Sequence, residues 1–149
     1  MLTRARFEGE LKQAMRSQDD LRRRTLRMIL SAIQLAEVER RGELDEPALL
    51  GLLQKEVKSR QETIADAEKA GRNDLVHAAA DELTLLQSYL PQALDPEQLK
   101  ALVQEAIASV GAKGPQDMGK VMKDLMPKVQ GRADGKAVST MVRDLLTPS

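Results

Sequence analysis

The chain has 149 residues, 42 % of them apolar and 31 % charged, and its 23 basic and 23 acidic side chains cancel to a formal charge of zero. That balance excludes the large basic excess of an indiscriminate polyanion binder, and the absence of cysteine excludes disulfides, thiolate zinc sites and cysteine nucleophiles. No apolar run approaches the ~20 residues of a membrane span, and the opening MLTRARFEGELK lacks the apolar stretch of a secretory signal. No membrane partner is expected, and the expected home is the cytoplasm.

Phe7 and Tyr89 are the only aromatic residues, whereas Leu, Ala, Met, Glu, Lys, Arg and Gln dominate. A sandwich or barrel would draw on aromatic and β-branched residues; this composition belongs to helices, and the fold class is all-α. A first helix is expected over residues 4–17, with Phe7, Leu11, Ala14 and Met15 on one stripe. Asp19 or Asp20 caps a second, carrying Leu26, Ile29, Leu30, Ile33 and Ala36 and closing at Arg40-Arg41-Gly42, where a glycine suits the C-cap. Asp45 caps a third with Pro47 in its first turn, running through Leu49, Leu53, Val57 and Ile64 to Ala70-Gly71. The fourth starts at Asn73 or Asp74 and continues to Leu90, with Val76, Ala79, Leu83 and Leu86 nearly heptad-spaced. Short connections between long helices favour antiparallel neighbours, so an elongated helical bundle is expected.

Pro91 interrupts this pattern. Asp95-Pro96 restarts it as N-cap and first helical residue, giving a helix to about Val110. A loop over residues 111–115 and helices over 116–129 and 135–146 complete a small three-helix unit. The expected domains are therefore residues 1–91 and 92–149.

Residues 118–146 carry the strongest functional signal. Lys120, Lys123, Lys128, Arg132, Lys136 and Arg143 face only Asp124, Asp134 and Asp144. In the loop Lys128-Val129-Gln130-Gly131-Arg132-Ala133-Asp134-Gly135-Lys136, Gly131 suits a left-handed cap and Asp134 an N-cap. Exposed amides beside Arg132 and Lys136 then suit a phosphate. Equally, those cations are ordinary surface charges. Arg22, Arg23, Arg24 and Arg27 form a secondary basic patch, unusual at a helix start because cations there oppose the macrodipole. Glu56–Arg60 and Lys58–Glu62 read as i,i+4 pairs on a solvated face. Met118, Met122, Met126 and Met141 read as core filler or as an adaptable groove for a partner helix.

Chemistry is poorly represented. The run from Gly114 to Gly119-Lys120 has P-loop spacing, but Val121 stands where a magnesium-ligating hydroxyl belongs and no strand precedes it. His77 is the sole histidine, so no His-rich metal site is available. No catalytic centre, metal or cofactor is expected.

Several segments in order resemble the YqeY-like proteins, the GatB/YqeY domain family. They are Thr25-Leu26-Arg27-Met28-Ile29-Leu30-Ser31-Ala32-Ile33, Leu53-Gln54-Lys55-Glu56-Val57-Lys58-Ser59-Arg60 and Ala70-Gly71-Arg72-Asn73-Asp74-Leu75. Tyr89-Leu90-Pro91, Met118-Gly119-Lys120-Val121-Met122 and Gly131-Arg132-Ala133-Asp134-Gly135-Lys136 follow. The resemblance covers essentially the whole chain. It implies a helical N-terminal domain and a small helical C-terminal domain similar to the tail of the B subunit of the tRNA-dependent amidotransferase, a tail that helps hold tRNA. It also implies a carbon–nitrogen ligase label with glutamine as amido donor. With no catalytic or ATP site visible, the expected function is that of a non-catalytic accessory protein binding tRNA or another structured RNA. Phosphates would be met by Lys120, Lys128, Arg132, Lys136 and Arg143. The alternative is a protein–protein adaptor using the N-terminal helices or the Met-rich face.

Overall fold

Seven α-helices and one 3-10 turn account for the regular structure among residues 1–147, which are the residues the computed structural model describes. The helices are α1 (Arg4–Arg16), α2 (Asp20–Arg40), α3 (Glu46–Lys69), α4 (Asn73–Ser88), α5 (Pro96–Val110), α6 (Met118–Val129) and α7 (Gly135–Leu146), with the 3-10 turn at Pro115–Asp117 before α6. One compact unit spans Met1–Pro91 and the other begins at Gln92.

The starts of α1, α2, α3 and α5 are written in the residue before each. The Thr3 hydroxyl accepts the Arg6 amide at 3.2 Å, and the Asp19 and Asp45 carboxylates accept the amides of Arg22 and Ala48 at 3.1 and 3.0 Å. Asp95 goes further: it accepts the Gln98 amide at 2.7 Å while its own amide donates to Gln98 Oε1 at 3.1 Å, a reciprocal capping box. Each such bond is worth about 1 kcal/mol and fixes where the helical period begins.

That period determines the two cores. In the first unit Phe7 and Ala14 of α1 meet Leu26, Ile29 and Ile33 of α2, Leu49 and Leu53 of α3, and Leu86 of α4, all buried. The chain's two aromatic rings sit together there, Phe7 and Tyr89 edge to face at 5.1 Å between centroids, with the Arg6 guanidinium 5.7 Å over the tyrosine ring. In the second unit Leu99, Val103 and Ala106 of α5 meet Val121, Leu125 and Val129 of α6 and Val138, Val142 and Leu146 of α7. Met118, Met122, Met126 and Met141 are partly buried against this core, filling its edge.

Several local expectations are corrected. Met15 lies off the apolar stripe and is half exposed, and α1 stops at Arg16 because Ser17 and Gln18 turn, Gln18 with φ 57°. At the end of α2 the left-handed residue is Arg41 (φ 59°) and not Gly42: Gly42 supplies the following amide, which donates to Glu37 O at 3.2 Å. Neither Asn73 nor Asp74 caps α4; Arg72 holds that position, and its guanidinium binds Asp74 at 3.0 and 3.1 Å. This bond holds the Asp74 carboxyl below its ordinary range. Helix α4 ends at Ser88, two residues short of Leu90, where Tyr89 and Leu90 turn back to Leu86 and Gln87. Residues 116 and 117 wind as 3-10 and not α, with the Asp117 amide on Gly114 O at 3.0 Å. Pro127 lies inside α6 near its end.

Two buried hydroxyls generate predictions. Thr25 is 1 % exposed and its Oγ1 has no hydrogen-bond partner among the described residues. Thr25→Val keeps the shape and removes the unsatisfied group, so urea unfolding of the variant should show a gain of about 1 kcal/mol. Burial, followed by the charge of Glu10, pushes the Tyr89 phenol up to about 12 from 10.0. In the folded state the neutral phenol is favoured, so its contribution is intact below about 10 and is lost as pH rises towards 12. Unfolding curves of wild type and Tyr89→Phe should therefore run parallel at neutral pH and converge on the variant's side above pH 10, the phenylalanine protein losing less stability.

Candidate functional site

Helix α7 is aimed by its buried stripe. Val138, Val142 and Leu146 point into the second core, which turns Lys136, Thr140 and Arg143, at i, i+4 and i+7, to solvent on one face. At 1.5 Å per residue the first and last of these are about 10 Å apart along the axis. Neither Lys136 nor Arg143 has an ion-pair partner among the described residues.

The start of α7 differs from those of α2, α3 and α5, whose leading aspartates accept a helix amide. Asp134 occupies the N-cap position with extended backbone, φ −69° and ψ 132°, yet its side chain accepts no amide. The expected Asp134 cap is thus corrected: the residue type is right, but the carboxylate does not reach the amides. Uncapped amides at a helix N-terminus carry the positive end of the helix dipole. Just upstream, the buried Gly131 takes φ 77°, closing α6 as the sequence suggests.

The other expected cations are disposed differently. Lys120 is 73 % exposed and lies at the limit of an ion pair with Asp117, 4.0 Å away; Lys128 lies 3.5 Å from Asp124. Both are partly neutralised by a neighbour on their own segment. Arg132 is half-buried and its Nε donates to the Gln92 backbone carbonyl at 3.0 Å, a contact across 40 positions of sequence. The sequence gives no hint of that partner, because a carbonyl carries no residue signature.

The secondary patch on α2 is mostly spoken for. Arg22 reaches Glu10 at 3.7 Å, Arg23 bonds Asp20, and Arg24 Nε donates to Glu82 at 3.2 Å. Glu82 also receives Arg60 at 3.1 Å, and Arg60 lies 3.9 Å from Glu56, its i−4 neighbour. Only Arg27 of the four is exposed without an ion pair among the described residues. The unfavourable placement of cations at the start of α2 is compensated by carboxylates from α1 and α4, Glu10 and Glu82, which sequence reading missed. His77 is exposed on α4, and among the described residues no three histidine or acidic side chains converge to hold a metal ion.

Fold and surface together define a class: a small all-helical protein with two cations, unpaired among the described residues, on one solvent face of a short helix in its second unit. The chain belongs to the YqeY-like family, whose model, described as Yqey-like protein, matches residues 4–146. It is 31 % identical over 145 residues to altered inheritance of mitochondria protein 41, mitochondrial, of Lachancea thermotolerans, covering 93 % of this chain and 76 % of that one. The corresponding proteins of Vanderwaltozyma polyspora and Pyrenophora tritici-repentis are 32 % and 30 % identical, covering 92 % and 95 % of this chain and 76 % and 79 % of theirs. Neither the family match nor these names speaks of RNA or of amide transfer. They do overturn the cytoplasmic expectation, since each relative is named as a mitochondrial protein. Balanced charge, absent cysteine and short apolar runs suit any reducing aqueous compartment, so composition alone does not separate one from another. Among the described residues no helix is long and apolar enough to cross a membrane.

The two glycines flanking the loop should respond oppositely. Gly131→Ala forces a side chain into left-handed backbone and should lower stability by roughly 1 kcal/mol or more. Around Gly135 a Cβ would meet nothing within 4 Å, so Gly135→Ala should leave the thermal midpoint unchanged or raise it.

Proposed function

We propose that this protein is a non-catalytic RNA-binding accessory protein whose second unit holds the phosphates of a folded RNA such as tRNA. The observation that supports it best is the coincidence on α7 of an uncapped amino terminus with Lys136 and Arg143 on one solvent face. Amides and dipole favour an anion at one end of the stripe, and the two side chains extend it along the helix. Arg132 borders this site from the preceding loop, while Lys120 and Lys128, paired with aspartates, are secondary contacts. With only Phe7 and Tyr89 as aromatics, and both in the first core, there is no ring in the second unit on which to stack an unpaired base. Recognition is therefore of backbone and shape.

The adaptor reading has a narrower footing. Leu35 and Val38, three apart on α2, are 63 % and 68 % exposed. Two side chains fall short of the roughly 300–600 Å² patch that marks an interaction surface. The methionine row, its other basis, is packed against the second core.

Fluorescence anisotropy with labelled deacylated tRNA at several salt concentrations between about 50 and 200 mM tests the RNA reading. Two or three phosphate contacts correspond to a slope of log affinity on log salt of about −1.4 to −2.7. A Lys136→Ala/Arg143→Ala protein should bind more weakly with a slope flatter by about 1 or more, and Asp134→Asn should bind more tightly, having lost the carboxylate beside the site. Folded wild type that fails to bind at the lowest salt would sink the proposal.

A further inference from the structure

Arg132 is held differently from every other cation between residues 118 and 146. Its amide donates to Val129 O at 2.9 Å, its carbonyl accepts the Leu94 amide at 2.9 Å, and its Nε donates to Gln92 O at 3.0 Å. All three partners are neutral. Lys120 and Lys128 instead face carboxylates, which hold a cation while cancelling its field. Lys123, Lys136 and Arg143 have no partner in the ion pairs of the described residues, so they keep their charge but also their rotamer freedom. A carbonyl does neither: it orients the guanidinium and leaves the charge whole. The two terminal nitrogens of Arg132 make no hydrogen bond or ion pair among the described residues, and between them they carry four donor hydrogens.

We infer that Arg132 is the anchoring phosphate contact of the second unit: a fork pre-set by Gln92 O that takes one phosphate bidentately through its terminal nitrogens. The inference rests on the phosphate-binding reading above and names the residue that gives that reading its geometry. Pre-orientation removes the entropic cost of freezing a long side chain when the ligand arrives, and a planar fork matches phosphate in a way an ammonium does not. A second property follows. The same residue secures Gln92 and Leu94, so filling the fork and ordering residues 92–94 are linked with the same sign, and each favours the other.

The test uses the ¹⁵N-labelled 149-residue protein. The Arg132 Nε–H resonance is assigned by its loss in Arg132→Lys and followed during titration with deacylated tRNA and, separately, with inorganic pyrophosphate. Exchange of the Leu94 amide is measured with and without tRNA. The expected results are a saturable shift of that resonance with both probes and slower Leu94 exchange in the tRNA complex. Arg132→Lys, which keeps the charge, should lose at least about tenfold in tRNA affinity. The Leu94 amide of the free variant reports on folding, because its acceptor is the backbone carbonyl of residue 132. Tight binding of tRNA by wild type and Arg132→Lys alike, with the Nε–H resonance unmoved, overturns the fork while leaving the α7 stripe standing. Absence of tRNA binding together with a saturable pyrophosphate shift keeps the fork and fails the RNA reading. No shift with either probe overturns the fork outright.

Discussion

A carboxylate or hydroxyl accepting an amide one turn into a helix is the contact from which the rest of this structure follows. Asp19, Asp45 and Asp95 each make it, and each thereby fixes the phase of the helix behind it. In a chain with two aromatic residues, burial has to come from aliphatic side chains repeated every third or fourth position, and a stripe buries well only when its phase is right. Leu26, Ile29 and Ile33 behind Asp19 and Leu49 and Leu53 behind Asp45 are the result, as are Leu99, Val103 and Ala106 behind Asp95. Two aspartates, Asp117 and Asp134, hold the position without making the bond, at the starts of α6 and α7.

Charge is distributed by the same packing. Helix α2 opens with three consecutive arginines, and the first unit accommodates them by bringing Glu10 and Glu82 alongside from helices that precede and follow it. Glu82 lies between Arg24 and Arg60, so one carboxylate answers two guanidinium groups. Arg24 is well exposed and its pair contributes little to stability by itself, whereas Arg60 and Glu82 are largely covered. Along α7 of the second unit, Lys136 and Arg143 are left without an ion-pair partner among the described residues.

Much of the helical outline is legible without coordinates. The Asp45 cap with Pro47 behind it, the Asp95-Pro96 restart and the span of α7 are all local statements, decided by residues within a turn of one another. Legibility ends where a choice depends on something remote or on a few degrees of backbone rotation. Gly42 is the obvious left-handed residue by type, yet Arg41 adopts that conformation because the last carbonyls of α2 are reached by the amides of residues 41 and 42 together. Residue type places Asp134 at a helix start, but only its backbone and rotamer decide whether the carboxylate caps. The partners of the arginines lie beyond any local window: Glu82 is 58 positions from Arg24, and the carbonyl that anchors Arg132 belongs to Gln92. The cations of the candidate site were visible as a cluster; which of them are free, paired or anchored was not.

The two cores have no residue in common: one draws on α1 to α4 and the other on α5 to α7. Selection therefore acts on two separate packing problems joined by a continuous chain. A substitution that loosens Leu53 is compensated among its own neighbours, and one at Val142 among a different set. Each half can drift at its own pace, and the latter half has what a transferable cassette requires: its own core, its own helix starts, and a natural seam just ahead of it at Pro91.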